Sequence, residues 1–287
     1  MTPASHSSLH SRSTPDTMGL RHHLRQGRVR LATVALLPVL ALAASGCDVL
    51  TADLKHTETA KWEKTFQLAS GGKVEIRNVN GKINVVPSSG NTVEVIAVKT
   101  AKGATPEAAR EELGRIEITE QASADGVRIE TKVARGERWF GGGSQVAYTV
   151  RVPATADSAF VTVNGGVDVT GLGGKTRLEA TNGGVIARDM SGAIEASTTN
   201  GGVELALTRV AEGGVRMSCT NGGLVLHLPA DAKASIDASI TNGGIDAGGL
   251  TLETTESSRR RLVGTLNGGG PRISIEGTNG GISLVKR

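Results

Sequence analysis

Residues 181–203 read TNGGVIARDMSGAIEASTTNGGV and contain the pentapeptide Thr-Asn-Gly-Gly-Val twice, 18 residues apart. Across the chain the first five copies of Asn-Gly-Gly are spaced 18, 18, 21 and 21 residues apart. Such a period indicates a solenoid, because one coil cannot bury its own apolar face and stacking supplies the core. The seven copies begin at Asn164, Asn182, Asn200, Asn221, Asn242, Asn267 and Asn279.

Apolar residues recur at fixed offsets from these asparagines, and polar residues lie between them. This alternation with period two, interrupted by glycine pairs, predicts two short strands per coil with a turn through positive φ at each Gly-Gly corner. We therefore expect an all-β fold, a single-stranded parallel β-helix or β-solenoid of about 18–21 residues per coil over residues 156–287. The residues three positions after the Asn are Val167, Val185, Val203, Leu224, Ile245 and Ile282.

The asparagines themselves occupy one corner of successive coils. We expect their side chains to stack as an amide ladder in which each amide donates to the next, a structural role and not a catalytic one. Asn200→Ala should then cost about 1–3 kcal/mol, because a buried partner loses its hydrogen bond. The predicted ladder residues are Asn164, Asn182, Asn200, Asn221, Asn242 and Asn279.

Residues 71–155 are less regular and predict a strand-helix-strand elaboration. Asn80-Gly81 lies between two short apolar alternations and reads as a degenerate first coil. Thr105-Pro106-Glu107 predicts the start of a short helix, with a capping hydroxyl, proline at the first helical position and an acid near the positive end of the helix dipole. The polar stretch 251–264 predicts a solvated loop before the last coil.

The N-terminus predicts export and a lipid anchor. A basic segment, 21–30, precedes an apolar run of about 14 residues, the order of a secretory signal and too short to span a bilayer. Ala44-Ser45-Gly46-Cys47 then resembles the lipobox of bacterial lipoproteins, which implies cleavage before Cys47 and a diacylglycerol on its thiol. Residues 1–46 would be the signal and 47–70 the lipidated cysteine and tether. Either Met1 or Met18 is the true start.

Cleavage changes the charge balance. The signal holds five of the 32 basic residues and one of the 28 acidic ones, which leaves 27 of each in the mature chain. The mature charge therefore gives no general case for nucleic acid as a partner. The expected partners are a membrane, through lipid on Cys47, and a protein or glycan of the envelope. With Cys47 lipidated, Cys219 has no disulfide partner and reads as a small core residue.

The Thr-Asn-Gly-Gly-Val coils, the preceding strand-helix-strand region and the C-terminal LNGGGPRISIEGTNGGISL together resemble the bacterial "putative adhesin" family, whose domain has no known function. The resemblance covers roughly residues 70–287. It implies a parallel β-helix-like body on an exported protein, and it carries no catalytic residues to transfer.

Parallel β-helices often cleave polysaccharides, so a lyase or glycosidase is the competing hypothesis. Asp168, Glu204 and Asp246 share an outward row, but we expect them on alternate coils about 10 Å apart, with Ile186 and Val225 between them. We expect no catalytic residues, no metal and no cofactor. Aromatic residues are rare, so the pair Trp139 and Phe140 is the binding candidate.

The sequence thus favours a non-enzymatic, membrane-anchored envelope lipoprotein, facing the periplasm or the exterior, that serves as an adhesin-like scaffold or binding surface. Two alternatives stay open, a polysaccharide-active β-helix enzyme and a sensor or regulator of envelope stress.

The anchor hypothesis makes a direct prediction. Cys47→Ser removes the thiol that would take the lipid, so the precursor should stay unprocessed and lose lipid labelling. Metabolic labelling with a radioactive fatty acid, together with membrane fractionation, measures both effects. Recovery of fully processed, membrane-bound protein from the variant would refute the anchor.

Overall fold

The computed structural model describes residues 54–133 and 143–287, and this part of the chain is mostly β-structure. It contains 19 strands and one helix, α1 Pro106–Gly114. The predicted all-β class is therefore confirmed. The strands are β1 His56–Gln67, β2 Lys73–Asn80, β3 Ile83–Ser88, β4 Thr92–Gly103, β5 Ile116–Ser123, β6 Gly126–Val133, β7 Gln145–Pro153, β8 Asp157–Asn164, β9 Val167–Thr170, β10 Thr176–Asn182, β11 Val185–Met190, β12 Ile194–Asn200, β13 Val203–Leu207, β14 Val215–Asn221, β15 Leu224–Leu228, β16 Ala234–Asp246, β17 Leu252–Ser257, β18 Arg261–Leu266 and β19 Arg272–Lys286.

The body is solenoid-like. Strands on either side of an Asn-Gly corner form one coil, and each coil pairs in parallel and in register with the next. Asn80-Gly81 forms such a corner between β2 and β3, as predicted for a degenerate first coil. The seven coils stack in the order β2/β3, β8/β9, β10/β11, β12/β13, β14/β15, β19 and β16.

Glycine is required at the corners because neighbouring coils touch there. The φ angle of Gly201 is 148°, and a Cβ on this residue would lie 2.2 Å from the carbonyl oxygen of Gly183 on the preceding coil. The amide of Gly201 meanwhile donates to the carbonyl of Asn221, at 3.0 Å. Any side chain at this position would separate the coils and break the backbone pairing.

The core is a thin column of aliphatic side chains inside the coils. The predicted inward row is buried from Val167 to Ile282, whereas Ile245 on the last coil is partly exposed. The predicted helix is confirmed as α1, where Thr105 Oγ1 accepts a hydrogen bond from the amide of Ala108 at 3.2 Å. This helix packs against the antiparallel strands β1 and β4.

The structure corrects the predicted tether at 47–70. Strand β1 begins at His56 and pairs antiparallel with β4 over twelve residues. Ala60, Trp62 and Phe66 turn a partly buried face inward, while the remaining side chains are mostly exposed and polar. The stretch looked like a tether because an outermost strand buries few of its side chains, and its polar composition therefore resembles that of a loop.

The last coils do not stack in chain order. β19 lies between β14/β15 and β16, and it pairs in parallel with both. Hence the link 267–271, from β18 to β19, overlaps the connection 229–233, from β15 to β16, at the same end of the strands. Asn267 Nδ2 donates to the carbonyls of Ala230, at 3.2 Å, and Ala232, at 2.8 Å, where these connections cross. This role explains why its Asn-Gly-Gly copy does not form a corner.

The predicted loop at 251–264 is wrong. β17 and β18 form an antiparallel hairpin, and β18 pairs with β16. The side chains of β17 are nearly all exposed because this strand lies at the edge of the sheet. Polar composition therefore reflected its edge position and not an absence of strand structure.

The corner asparagines form a continuous row of seven amides. Six of the seven Nδ2 groups donate to the Oδ1 of a neighbour at 2.7–2.9 Å, always in the same direction along the stack, and the seventh, of Asn80, donates to the carbonyl oxygen of Ser144 at 3.2 Å. The row includes Asn80, which the sequence prediction omitted, and the Asn side chains from Asn164 onward are exposed. Its order is Asn80, Asn164, Asn182, Asn200, Asn221, Asn279 and Asn242.

Asn200→Ala removes two of these hydrogen bonds, the one it donates to Asn182 and the one it accepts from Asn221, each at 2.9 Å. The sequence had suggested a buried partner, but Asn182 and Asn221 are both exposed. Water can therefore replace the missing amide. We expect a loss of about 1 kcal/mol in the free energy of unfolding, measured by denaturant titration. Thr199→Val is the control, an exposed neighbour outside the row, and an equal loss in both variants would show that the row adds no stability.

Candidate functional site

One concavity on the coils lies where two small residues separate two long cationic side chains of an outward column. We call face 1 the outward side of β2, β8, β10, β12, β14 and the first halves of β19 and β16. In one column of face 1, Lys175 and Arg272 lie three coils apart, and Ala193 and Gly214 hold the two positions between them. The missing side-chain volume leaves a depression between the two cations.

We call this depression the notch; its volume is about 380 Å³. Buried Ile194 and Val215 belong to its floor, together with Ala193 and Gly213. A Cβ on Gly213 would lie 2.6 Å from the Cβ of Ala193, so any larger residue at Gly213 would crowd the opening. The polar residues of the rim are Lys175, Glu195, Arg216, Arg272, Ser274 and Glu276.

The ion pairs of the rim arginines are exposed to water. Arg216 lies 3.8 Å from Glu276 and Arg272 lies 2.9 Å from Asp237, with both arginines more than 60% exposed. Ion pairs exposed to this degree contribute little to stability, since water and salt screen them. The ammonium of Lys175 has no ionic partner within the two described ranges. A ligand with an acidic group can therefore recruit these cations at small cost.

Sequence reasoning missed the notch. Lys175 and Arg272 are 97 residues apart, and they share a column only because β19 inserts beside β14. The repeat did carry one signal, since Ala193 and Gly213–Gly214 are small where the neighbouring coil has Lys175. That signal has meaning only when the stacking order is known.

The predicted carboxylate row lies on the opposite side, face 2, formed by β3, β9, β11, β13, β15 and the second halves of β19 and β16. Asp168 pairs with Lys82, and Glu204 lies 3.9 Å from His227. Ile186 separates Asp168 from Glu204, as expected. The expected position of Asp246 is wrong.

Asp246 does not follow Val225 on the next coil. Ser283 of β19 lies between them, so Glu204 and Asp246 are three coils apart, about 14 Å. Asp246 instead accepts a hydrogen bond from the amide of Gly248, at 2.9 Å. The separation of Glu204 and Asp246 exceeds the roughly 5–10 Å between the two carboxyl groups of a glycosidase. Within residues 54–133 and 143–287, no three His, Cys, Asp or Glu side chains are grouped to hold a metal ion.

Cys219 is a buried residue of the inward row. Its thiol donates to the carbonyl oxygen of Gly201, at 3.1 Å. Burial raises the pKa of the Cys219 thiol, against an opposing hydrogen bond from the Asn221 backbone. The thiolate, which is the reactive form, is therefore disfavoured.

The remaining site predictions fall outside the described residues. These are the lipidation site Cys47 and the aromatic pair Trp139 and Phe140. In the described ranges, none of the helices has the length and apolar character needed to traverse a bilayer.

The stacked coils and the corner glycines define a class, the solenoid-like all-β repeat proteins. The sequence model of the Toastrack DUF4097 family matches residues 55–285, and the chain belongs to this family. The resemblance inferred from the Asn-Gly-Gly repeat is thus confirmed. No curated protein matches the chain.

Several solved structures are similar to the chain. One is a putative cell adhesion protein from Clostridium sporogenes, 11% identical, with 80% of this chain and 100% of that chain covered and a TM-score of 0.46. A putative adhesin from Bacteroides fragilis is 9% identical, with 79% of this chain and 97% of that chain covered and a TM-score of 0.26. A putative lipid binding protein from Parabacteroides distasonis is 10% identical, with 78% of this chain and 96% of that chain covered and a TM-score of 0.28.

Proposed function

We propose that this chain is a non-enzymatic lipoprotein of the bacterial cell envelope, anchored through Cys47, whose solenoid is a rigid scaffold that binds an acidic envelope glycan in the notch. The body is taken as a single-stranded parallel β-helix closed by antiparallel strands at both ends. The observation that carries the proposal is the notch itself, a concavity of about 380 Å³ with three cations and two carboxylates on its rim.

The chemistry of the rim suits a sugar better than an apolar ligand. Arginine and lysine donate hydrogen bonds to carboxylates and hydroxyls, while Glu195 and Glu276 accept hydrogen bonds from hydroxyls. The volume falls within the range of small-molecule sites, which is about 300–1,000 Å³. One net positive charge among the five ionic rim residues favours a ligand with an acidic group.

The anchor would keep this surface near the membrane. Eight residues, 48–55, separate Cys47 from β1, and at about 3.4 Å for each of the nine Cα–Cα steps they reach at most roughly 31 Å. The start of β1 would therefore remain within this distance of the lipid. A scaffold in this position can bind glycans at the membrane surface, in the periplasm or outside the cell.

Binding should depend on the two cations at the ends of the notch. With residues 48–287 and an array of acidic and neutral envelope glycans, we expect Lys175→Ala/Arg272→Ala to lower affinity for the bound glycan at least tenfold, because two charge-assisted contacts are lost. Ala193→Leu should lower it as well, since the larger side chain fills the notch. Isothermal titration calorimetry measures both effects.

Arg188→Ala/Lys132→Ala is the matched control, because it removes two exposed cations outside the notch. Equal losses in both double variants would reduce the interaction to general charge attraction and refute the notch as the site. Turnover of any glycan, abolished by Asp168→Asn, would instead place the protein in the enzyme class.

A further inference from the structure

The C-terminal strand β19 completes the solenoid from inside the stack and not from its end. It pairs with β14 and β15 on one side and with β16 on the other, so both of its backbone edges are used. Its four large apolar side chains are buried. Removal of β19 would leave a slot one strand wide between two coils that precede it in the sequence. The four buried apolar residues of β19 are Ile273, Ile275, Ile282 and Leu284.

The slot accepts few sequences. Its occupant must place an amide between Asn221 and Asn242, as Asn279 does at 2.8 and 2.9 Å. A small residue is also favoured under Ile240, because a Cβ on Gly277 would lie 3.1 Å from Ile240 Cγ1. β19 itself meets these conditions, and so does the β19 of a second copy of this chain.

The link to β19 is rich in residues with positive φ angles. Asn267, Gly268 and Gly269 have φ angles of 51°, 82° and 84°, a conformation that costs little for glycine and is tolerated by asparagine. In the structure the link runs from β18 to β19, which lie two coil spacings apart, about 10 Å. Its six Cα–Cα steps could reach about 20 Å when extended, so the link has length to spare. Gly268 and Gly270 are exposed while Ala232 is buried, so the link crosses on the outside, where the hydrogen bonds of Asn267 to Ala230 and Ala232 hold it.

We propose that two copies of this chain exchange β19, each strand filling the slot of the other copy. The exchanged dimer keeps every strand pairing and the asparagine row of the single chain, whereas the link changes conformation and gives up the hydrogen bonds of Asn267 to Ala230 and Ala232. Exchange of an identical element between two copies is a low-cost route to a dimer. Anchoring both copies to one membrane would favour it by raising their local concentration. This inference is independent of what the notch binds.

Cross-linking between two labelled chains tests the exchange. Thr220 of β14 and Thr278 of β19 are registered neighbours on the outer side of adjacent strands. One full mature chain with Thr220→Cys and a second with Thr278→Cys are refolded together and then oxidised. Exchange predicts a disulfide-linked heterodimer, because a separation near 5 Å suits a disulfide. The control pair, Thr199→Cys with Thr220→Cys, is equally adjacent in one chain, but neither residue lies in β19, so it should give none.

The link supplies the second arm. Gly268→Ala/Gly269→Ala introduces strain only in the closed link, since an added Cβ at Gly268 contacts nothing and at Gly269 lies 3.5 Å from Thr265. We expect the dimer dissociation constant, measured by light scattering after size exclusion, to fall at least tenfold.

Gly71→Ala/Gly90→Ala is the matched control for the link, with φ angles of 78° and 89° and open space at both positions. It should reduce thermal stability without forming dimers. The proposal is overturned if the cross-link is absent, if it forms equally in the control pair, or if both glycine variants dimerise alike.

Discussion

The structure depends on the contact between glycine corners of successive coils. At each corner the backbone of one coil touches the carbonyl of the next, so close that a Cβ on Gly183 would lie 1.9 Å from the oxygen of Gly165. This approach lets the amide of Gly183 bond to the carbonyl of Asn200, at 2.8 Å, and brings neighbouring Asn side chains within reach of each other. Parallel register, the amide row and the straight column of aliphatic residues all follow from it.

Because every corner is built alike, the corner itself does not say which coil stacks on which. If β16 stacked directly on β14, Asn242 could donate to Asn221 in the way that Asn279 does in the structure. The strand β16 also has the same alternation of apolar and polar residues as β19. The order is decided by side chains and connections. Ile240 fills the space above Gly277, and Asn267 joins the crossing connections through Ala230 and Ala232. Insertion of β19 also brings Arg272 to the notch, so the candidate site exists only in this order.

The ends of the stack are closed with a different kind of strand. β1, β5 and β17 run along the outer edges, and each exposes charged residues such as Lys61, Glu117 and Glu253. Charges on an edge strand discourage further pairing, since another strand would have to desolvate them. The same polarity made these strands resemble a tether or a loop in the sequence. Indefinite stacking of copies is thereby opposed, whereas exchange of an inner strand exposes no new edge.

The sequence by itself determined the local features. The repeat, the glycine corners, the inward row from Val167 to Ile282 and helix α1 could all be read from it, because each depends on residues a few positions apart or on one period. The family followed from the same repeat. Tertiary structure decided the coil order, the edge strands and the notch. These depend on which of several equivalent coils meet, and Lys175 and Arg272 form one site only through that choice. Local patterns repeat identically in every coil, so only the packing of unlike side chains, such as Ile240 on Gly277, distinguishes one stacking order from another.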